Sequence, residues 1–197
     1  KLHKELGSIT YEEEIKNLDA INDTAQYLSQ TINDFKNFFK KDKVLLKTNP
    51  KDLLNKVLKL NSKVLEQNEI EVIVGHSTDI KIYTYVNELL QVLINIINNA
   101  KDILIEKSGK GKITINTYDE NNYLIIEIKD NGGGISQENI NKVFDPYFTT
   151  KGPLSGTGLG LHISKTITDK HLNGNITVMN DSEGAVFTIT LPNLSKN

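Results

Sequence analysis

The stretch Tyr85–Lys107 constrains this chain more than any other. It carries Leu89, Leu90, Val92, Leu93, Ile94, Ile96 and Ile97 and is interrupted by neither glycine nor proline. A helix that is apolar nearly all round offers water no face, so other elements have to cover it. The covering has to be protein, because no apolar run approaches the roughly 18–20 residues of a membrane span. The 197 residues suffice for this. A chain of this size buries about 70% of its unfolded surface and needs no disulfide or metal to fold.

The pattern around that helix predicts its neighbours. Lys43–Thr48 reads as a short strand, and Asn49-Pro50 as an N-cap followed by proline at the first position of a helix running to Gln67. Glu69–Val74 and Asp79–Tyr83 read as short strands. Lys112–Tyr118 and Tyr123–Lys129 alternate as strands joined by a turn at Asp119–Asn122. The irregular stretch from Asp130 to Gly156 is expected to hold one short helix near Gln137–Val143. Thr157–His171 reads as a helix ended by Asn173-Gly174, and Asn175–Met179 and Ala185–Leu191 as closing strands about a turn at Asp181–Gly184. Strands and helices alternate without strict βαβ order. The expected class is α+β: a two-layer α/β sandwich with a mixed sheet.

The N-terminal region follows a different rule. Leu18, Ile21, Ala25, Leu28, Ile32, Phe35 and Phe39 are spaced alternately by 3 and 4 residues, which is a seam held over about three heptads. A long helix is predicted from Tyr11 to Lys40, with Glu12, Glu13 and Glu14 favouring its positive end. Its narrow apolar stripe asks for a partner helix. Residues 1–8 read as the tail of an earlier helix closed by Gly7, so the chain is expected to begin inside an element.

Composition removes several chemistries. The absence of cysteine excludes a disulfide scaffold, a Cys-ligated zinc or iron–sulfur site and a Cys nucleophile, and suits a reducing cytoplasm. With 23 basic and 25 acidic residues the net charge is −2, and no basic patch marks nucleic acid as a partner. Every basic residue is lysine. A phosphate would therefore be gripped by lysine, backbone N–H groups or a metal rather than by guanidinium forks.

Three features carry chemistry. Asn95 and Asn99 lie one turn apart on one face of the apolar helix, where an amide pair has to be hydrogen-bonded or bound to something. They either cap neighbouring loops or hold a ligand. Asp130-Asn131-Gly132-Gly133-Gly134-Ile135 follows a strand directly. Three consecutive glycines let a backbone come close to a ligand, or simply make a turn. Gly156-Thr157-Gly158-Leu159-Gly160-Leu161 leads into a helix, where unpaired N–H groups favour an anion, although it is neither a Walker loop nor a dinucleotide fingerprint. Between the last two lies Phe144-Asp145-Pro146-Tyr147-Phe148-Thr149-Thr150-Lys151. Aromatics in a long loop of this kind suit a lid over a bound group, or pin the loop to the core.

In order and spacing, Asn95–Ala100, Asp130–Ile135, Phe144–Lys151, Gly156–Leu161 and Gly184–Pro192 resemble the asparagine box, first glycine box, phenylalanine box, second glycine box and terminal strand of the sensor histidine kinase ATP-binding domain. The resemblance covers about residues 44–194. It implies a Bergerat-type fold over 43–197, with 1–42 as the C-terminal part of a dimerisation and phosphotransfer hairpin. It implies ATP and Mg²⁺ as cofactors. Asp130 would accept the adenine amine, with Gly132, Gly134 and Ile135 close by, and Asn99 would ligate Mg²⁺ with Asn95 and Asp102 nearby. Gly156, Thr157, Gly158, Leu159, Gly160 and Leu161 would wrap the triphosphate. Phe144 and Phe148 would anchor the lid, and Lys151 would neutralise phosphate. The implied partners are a second copy of the chain and a response regulator receiver domain. The implied location is cytoplasmic, with any inner-membrane anchor in regions outside this sequence.

The chain departs from the family pattern in two places. Asp102 stands where many kinases carry lysine, and an acid there is common in the gyrase, mismatch-repair and chaperone ATPases. That branch also places a glutamate one turn before the metal asparagine as general base, and here the position is Asn95. An ATP-hydrolysing relative that drives conformational change is the alternative reading, and the missing base argues against it. The phosphoacceptor motif is the second departure. His3 is followed by Lys4-Glu5-Leu6-Gly7 without a Pro-Leu pair, so the acceptor histidine is expected upstream of Lys1, and His3 is disfavoured. His76, His162 and His171 are expected to be packing or surface residues.

Overall fold

The computed structural model describes residues 44–107, 109–151 and 156–193, together with Ile15, Asn17, Leu18 and Ile21. The chain divides into two compact units, one of Asp42–Thr149 with Gly158–Asn197 and the other of Lys1–Lys41 with Thr150–Thr157. In the second unit Ile15, Asn17, Leu18 and Ile21 are helical, and Leu18 and Ile21 are exposed. The rest of the predicted seam, the residues before it and His3 lie outside the described residues.

The first unit begins with strand β1 (Leu45–Thr48) and helix α1 (Pro50–Gln67). The Asn49 side chain accepts from the Lys51 N–H at 2.8 Å, and Pro50 takes the first helical position. Strands β2 (Glu71–Val74) and β3 (Ile82–Tyr85) lead into α2 (Val86–Glu106), the apolar helix. Strands β4 (Lys112–Glu120) and β5 (Tyr123–Asp130) form a hairpin. Asn121 and Asn122 both take positive φ at its tip, which matches the twist of the flanking strands. Helix α3 (Gly160–Thr166) runs into a π-helical turn (Ile167–His171), and strands β6 (Asn175–Asn180) and β7 (Ala185–Pro192) close the unit.

Strands β2-β4-β5-β7-β6 form one sheet in that order. β2 pairs parallel with β4 and the other pairs are antiparallel, so the sheet is mixed, as expected. β1 and β3 make a separate antiparallel pair. Along β4, β5 and β7 buried and half-buried residues alternate. The inner face carries Ile113, Ile115, Leu124, Ile126, Ile128, Phe187, Ile189 and Leu191. Leu89, Val92, Leu93, Ile96, Ile97, Ala100 and Leu104 of α2 are buried in the same core.

Three predicted elements differ from the structure. β3 is Ile82–Tyr85 rather than Asp79–Tyr83. No helix forms near Gln137–Val143. That segment is a chain of turns in which Asn139 N and Ile140 N both bond Ser136 O, Lys142 N bonds Asn139 O and Asp145 N bonds Lys142 O, a mainly three-residue closure that its serine and asparagines favour over a helix. The helix predicted from Thr157 starts at Gly160, because Gly158 holds φ at +63°. It widens to π geometry after Thr166. There the Thr166 and Thr168 hydroxyls donate to carbonyls four residues back and compete with the helical ladder.

Ile96 is fully buried on α2. Ile96→Ala is expected to cost about 2–5 kcal/mol by transfer and cavity terms together. A urea titration should show the midpoint fall with little change in slope.

Candidate functional site

The alternation of β5 that buries Leu124, Ile126 and Ile128 continues to Asp130. A carboxylate therefore occupies the core face at the strand end, only 5% exposed. Its Oδ1 accepts from Gly132 N at 2.8 Å and from Ala185 N at 3.3 Å. Oδ2 accepts no hydrogen bond from a described residue. Burial pushes the Asp130 pKa up, against the pull of the two N–H groups and the nearby Lys107 ammonium. The group is thus an acceptor held in place through one oxygen, with the other available to a donor.

Gly132 follows, buried beneath Ile103, and a Cβ there would stand 2.6 Å from Ile103 Cγ2. Ile103 was missed by the sequence reading. It stands on α2 four residues beyond Asn99, so Asn95, Asn99 and Ile103 share one face. The same periodicity that found the asparagines would have found it. Next to the carboxylate it supplies an apolar wall suited to a flat ring. The eight-residue step from Asn95 to Ile103 spans about 12 Å of helix.

At the other end of this face, Asn95 Nδ2 donates to Gly160 O at 3.1 Å and to Ser164 Oγ at 3.2 Å. Ser164 is fully buried and donates to the same carbonyl at 2.9 Å. Of the two roles open to Asn95, capping a neighbouring segment is the one the geometry displays. Ser164 was not singled out from sequence, because its partner is 69 residues away. Between the two ends, Asn99 is half-buried, and its amide makes no hydrogen bond to a described residue. Asp102 pairs with Lys101 at 3.5 Å, and Lys101 also donates to Asn98.

The phenylalanine and second glycine segments meet through backbone. Tyr147, at φ +66°, donates its N–H to Gly158 O at 3.0 Å. Gly158 lies so close to the Tyr147–Phe148 peptide that a Cβ would overlap it. Phe144 packs edge-on against Phe187 at 6.4 Å, and its carbonyl meets His162 Nδ1 at 3.0 Å. This aromatic is pinned to the core. Phe148 is half-buried, as are Leu159 and Leu161 flanking Gly160. Lys151, Gly156 and Thr157 belong to the other compact unit.

Two other histidines among the described residues are engaged elsewhere, His171 with Glu88 two turns before Asn95 on α2. His76 stacks on Tyr118 at 4.9 Å, and its Nδ1 meets Thr117 O. His171 Nδ1 lies 2.9 Å from Glu88 Oε1. No group of three or more His, Asp or Glu among the described residues is placed to hold a metal, and no helix among them is long and apolar enough to cross a membrane.

Residues 84–195 match the family described as histidine kinase-, DNA gyrase B-, and HSP90-like ATPase. Among characterised relatives, the signal transduction histidine-protein kinase AtoS of Escherichia coli K12 is 45% identical over 106 residues, 53% of this chain and 16% of AtoS. The sensor histidine kinase ZraS of Salmonella typhi is 35% identical over 152 residues, 75% of this chain and 31% of ZraS. The chain thus spans less than a third of these relatives. Among solved structures, the nucleotide-free catalytic domain of the histidine kinase ThkA superposes with a TM-score of 0.68 at 30% identity, covering 76% of this chain and 96% of that domain.

Replacing the buried carboxylate separates stability from binding. Because its pKa is raised on folding, the folded chain holds this proton more tightly than the unfolded one. The charge therefore costs stability as pH rises from the ordinary value of 3.8 through the folded pKa. Asp130→Asn is expected to melt at or above the wild-type temperature at pH 7, while ATP affinity falls by about tenfold or more. Calorimetry with ATP and thermal melts at pH 4 and 7 check both halves.

Proposed function

We propose phosphoryl transfer from ATP to a histidine, on the premise that this chain belongs to the histidine kinase-, DNA gyrase B-, and HSP90-like ATPase family as a histidine-kinase type of ATP-binding catalytic domain. The observation that carries the proposal is Asn95, whose amide donates to Gly160 O and Ser164 Oγ. A carboxylate in its place would meet that carbonyl with no proton to give. The position is built for a donor, not for a base that activates water, and this favours transfer to a side chain over hydrolysis.

The chain's residues divide the work of binding along α2. Asp130 Oδ2 accepts the exocyclic amine of adenine, and Ile103 and Gly132 border the ring. The base then lies at the Ile103 end of the face and the phosphates toward the Asn95 end. Asn95 and Ser164 hold the start of α3, and with it Gly158, Leu159, Gly160 and Leu161, against α2. Asn99 is the residue that would hold Mg²⁺: its half-buried amide is uncommitted among the described residues, and an amide oxygen suits a hard ion whose other ligands are phosphate oxygens and water. The metal supplies neutralisation of triphosphate charge. A histidine ring nitrogen attacks the γ-phosphorus as the bond to the β–γ bridging oxygen breaks and ADP leaves, so catalysis is positioning and charge neutralisation.

The acceptor histidine is assigned to a dimeric helical hairpin and the onward partner to a receiver domain. The exposed Leu18 and Ile21 support a helix that needs a second helix to cover it. The test supplies γ-labelled ATP and a separate hairpin domain carrying a histidine. Acid-labile label on that hairpin is the expected result, and release of free phosphate with no protein label would establish the hydrolase reading instead. Label on the isolated chain that disappears in His3→Gln would make His3 the acceptor.

Asn99→Ala is expected to lower Mg²⁺-dependent ATP affinity by at least about tenfold, while Asn99→Asp shifts the preference among divalent ions. Titrations with and without the ion distinguish the two variants.

A further inference from the structure

The glycine loop that follows Asp130 has no side chain of its own from Gly132 to Gly134, and glycine is the residue that loses most freedom on ordering. Such a loop cannot set its own shape by packing. Its shape has to be imposed from outside, and the structure shows by what. The Asn180 amide clasps one residue of the loop through both of its functions. Oδ1 accepts from Ile135 N at 2.9 Å, and Nδ2 donates to Ile135 O at 2.6 Å. Glu183 O accepts from Gly133 N at 2.9 Å, and Ala185 N donates to Asp130 Oδ1. One hairpin tip thus bonds the loop at its start, middle and end.

The tip is itself braced. Asp181 Oδ1 accepts from Glu183 N and Gly184 N at 2.8 and 3.0 Å. Lys129 Nζ reaches Asp181 and Glu183, both at 2.6 Å, and Lys112 lies 3.5 Å from Glu183. The Lys129 ammonium holds the Asp181 carboxyl down to about 2, so the brace stays charged at neutral pH. Gly134, at φ +78°, stands where a Cβ would lie 2.7 Å from Asn180 Oδ1. The loop gives up a side chain at the point where the clasp closes on it.

We propose that Asn180 is a positioning residue for nucleotide binding: by clasping Ile135 from the β6–β7 hairpin it fixes the glycine loop, and with it Asp130, in the geometry that receives the adenine ring. The role acts through Asp130 and rests on the ATP-binding reading above. It demands a side chain with donor and acceptor on one short plane, which asparagine has and its isostere aspartate lacks.

The test compares wild type, Asn180→Ala, Asn180→Asp and Asp130→Asn, all at a temperature where each is folded by circular dichroism. ATP and adenosine titrations are read beside amide hydrogen exchange. For both Asn180 variants the ATP and adenosine dissociation constants are expected to rise together by about tenfold. Exchange should quicken at Gly133–Ile135 and stay slow in Leu124–Ile128. A purely structural role would lower the melting temperature and leave the affinity of the folded chain unmoved, and that result overturns the proposal. Wild-type affinity in Asn180→Asp overturns it as well, because that variant keeps the shape and loses the donor. Wild type that binds no ATP removes the underlying reading and this inference together. Wild type that binds, with Asp130→Asn weakened and Asn180 variants unchanged, removes this inference alone.

Discussion

The site depends on a carboxylate kept in the core at the end of a strand. Asp130 occupies the position in β5 that strict alternation assigns to the inner face, after Leu124, Ile126 and Ile128. Burying a carboxylate there is costly unless its charge is met by donors. Gly132 and Ala185 meet it through one oxygen, and the rest of the cost appears as a raised pKa. The strand after it must turn at once so that Gly132 N can reach back. The β6–β7 hairpin must end beside it so that Ala185 N can do the same. The glycines and the hairpin tip follow from that requirement.

Helix α2 is the second fixed body. Its buried face, with Ile96 and Ile97 fully enclosed, anchors it to the sheet. The row Asn95, Asn99 and Ile103 is thereby held in register with the glycine loop at one end and the start of α3 at the other. Rigidity here comes from packing, and the polar row inherits it, so functional groups on the helix are placed more firmly than loop residues would be. The segments around Phe144 and Gly158 are tied in through Tyr147 N to Gly158 O, the Phe144–Phe187 contact and His162 on the Phe144 carbonyl.

The charged tip shows a division between strength and direction. Lys129 with Asp181 and Glu183 lies at the surface, where ion pairs contribute little to overall stability. Its geometry nonetheless sets where Glu183 O and Ala185 N point. Weak interactions of this sort can decide a site's precision without deciding whether the chain folds.

Much of this was legible in the residues themselves. Local periodicity decided the apolar helix, the alternation of β4, β5 and β7, the Asn49-Pro50 start of α1 and the Asn121–Asn122 turn, because neighbours a few residues apart share a face whatever the fold. The polar spacing of Asn95 and Asn99 and the glycine runs marked the candidate site for the same reason. Three things depended on tertiary structure. The helix expected from Thr157 began at Gly160, where backbone contact between Gly158 and Tyr147 overruled the pattern. Asn95 took its partner from α3, and Asn180 reached the glycine loop, 45 residues from the backbone it clasps. Pairing at that distance in sequence leaves no local period to read. It exists only once the sheet order β5-β7-β6 has brought the end of β6 beside the loop after β5.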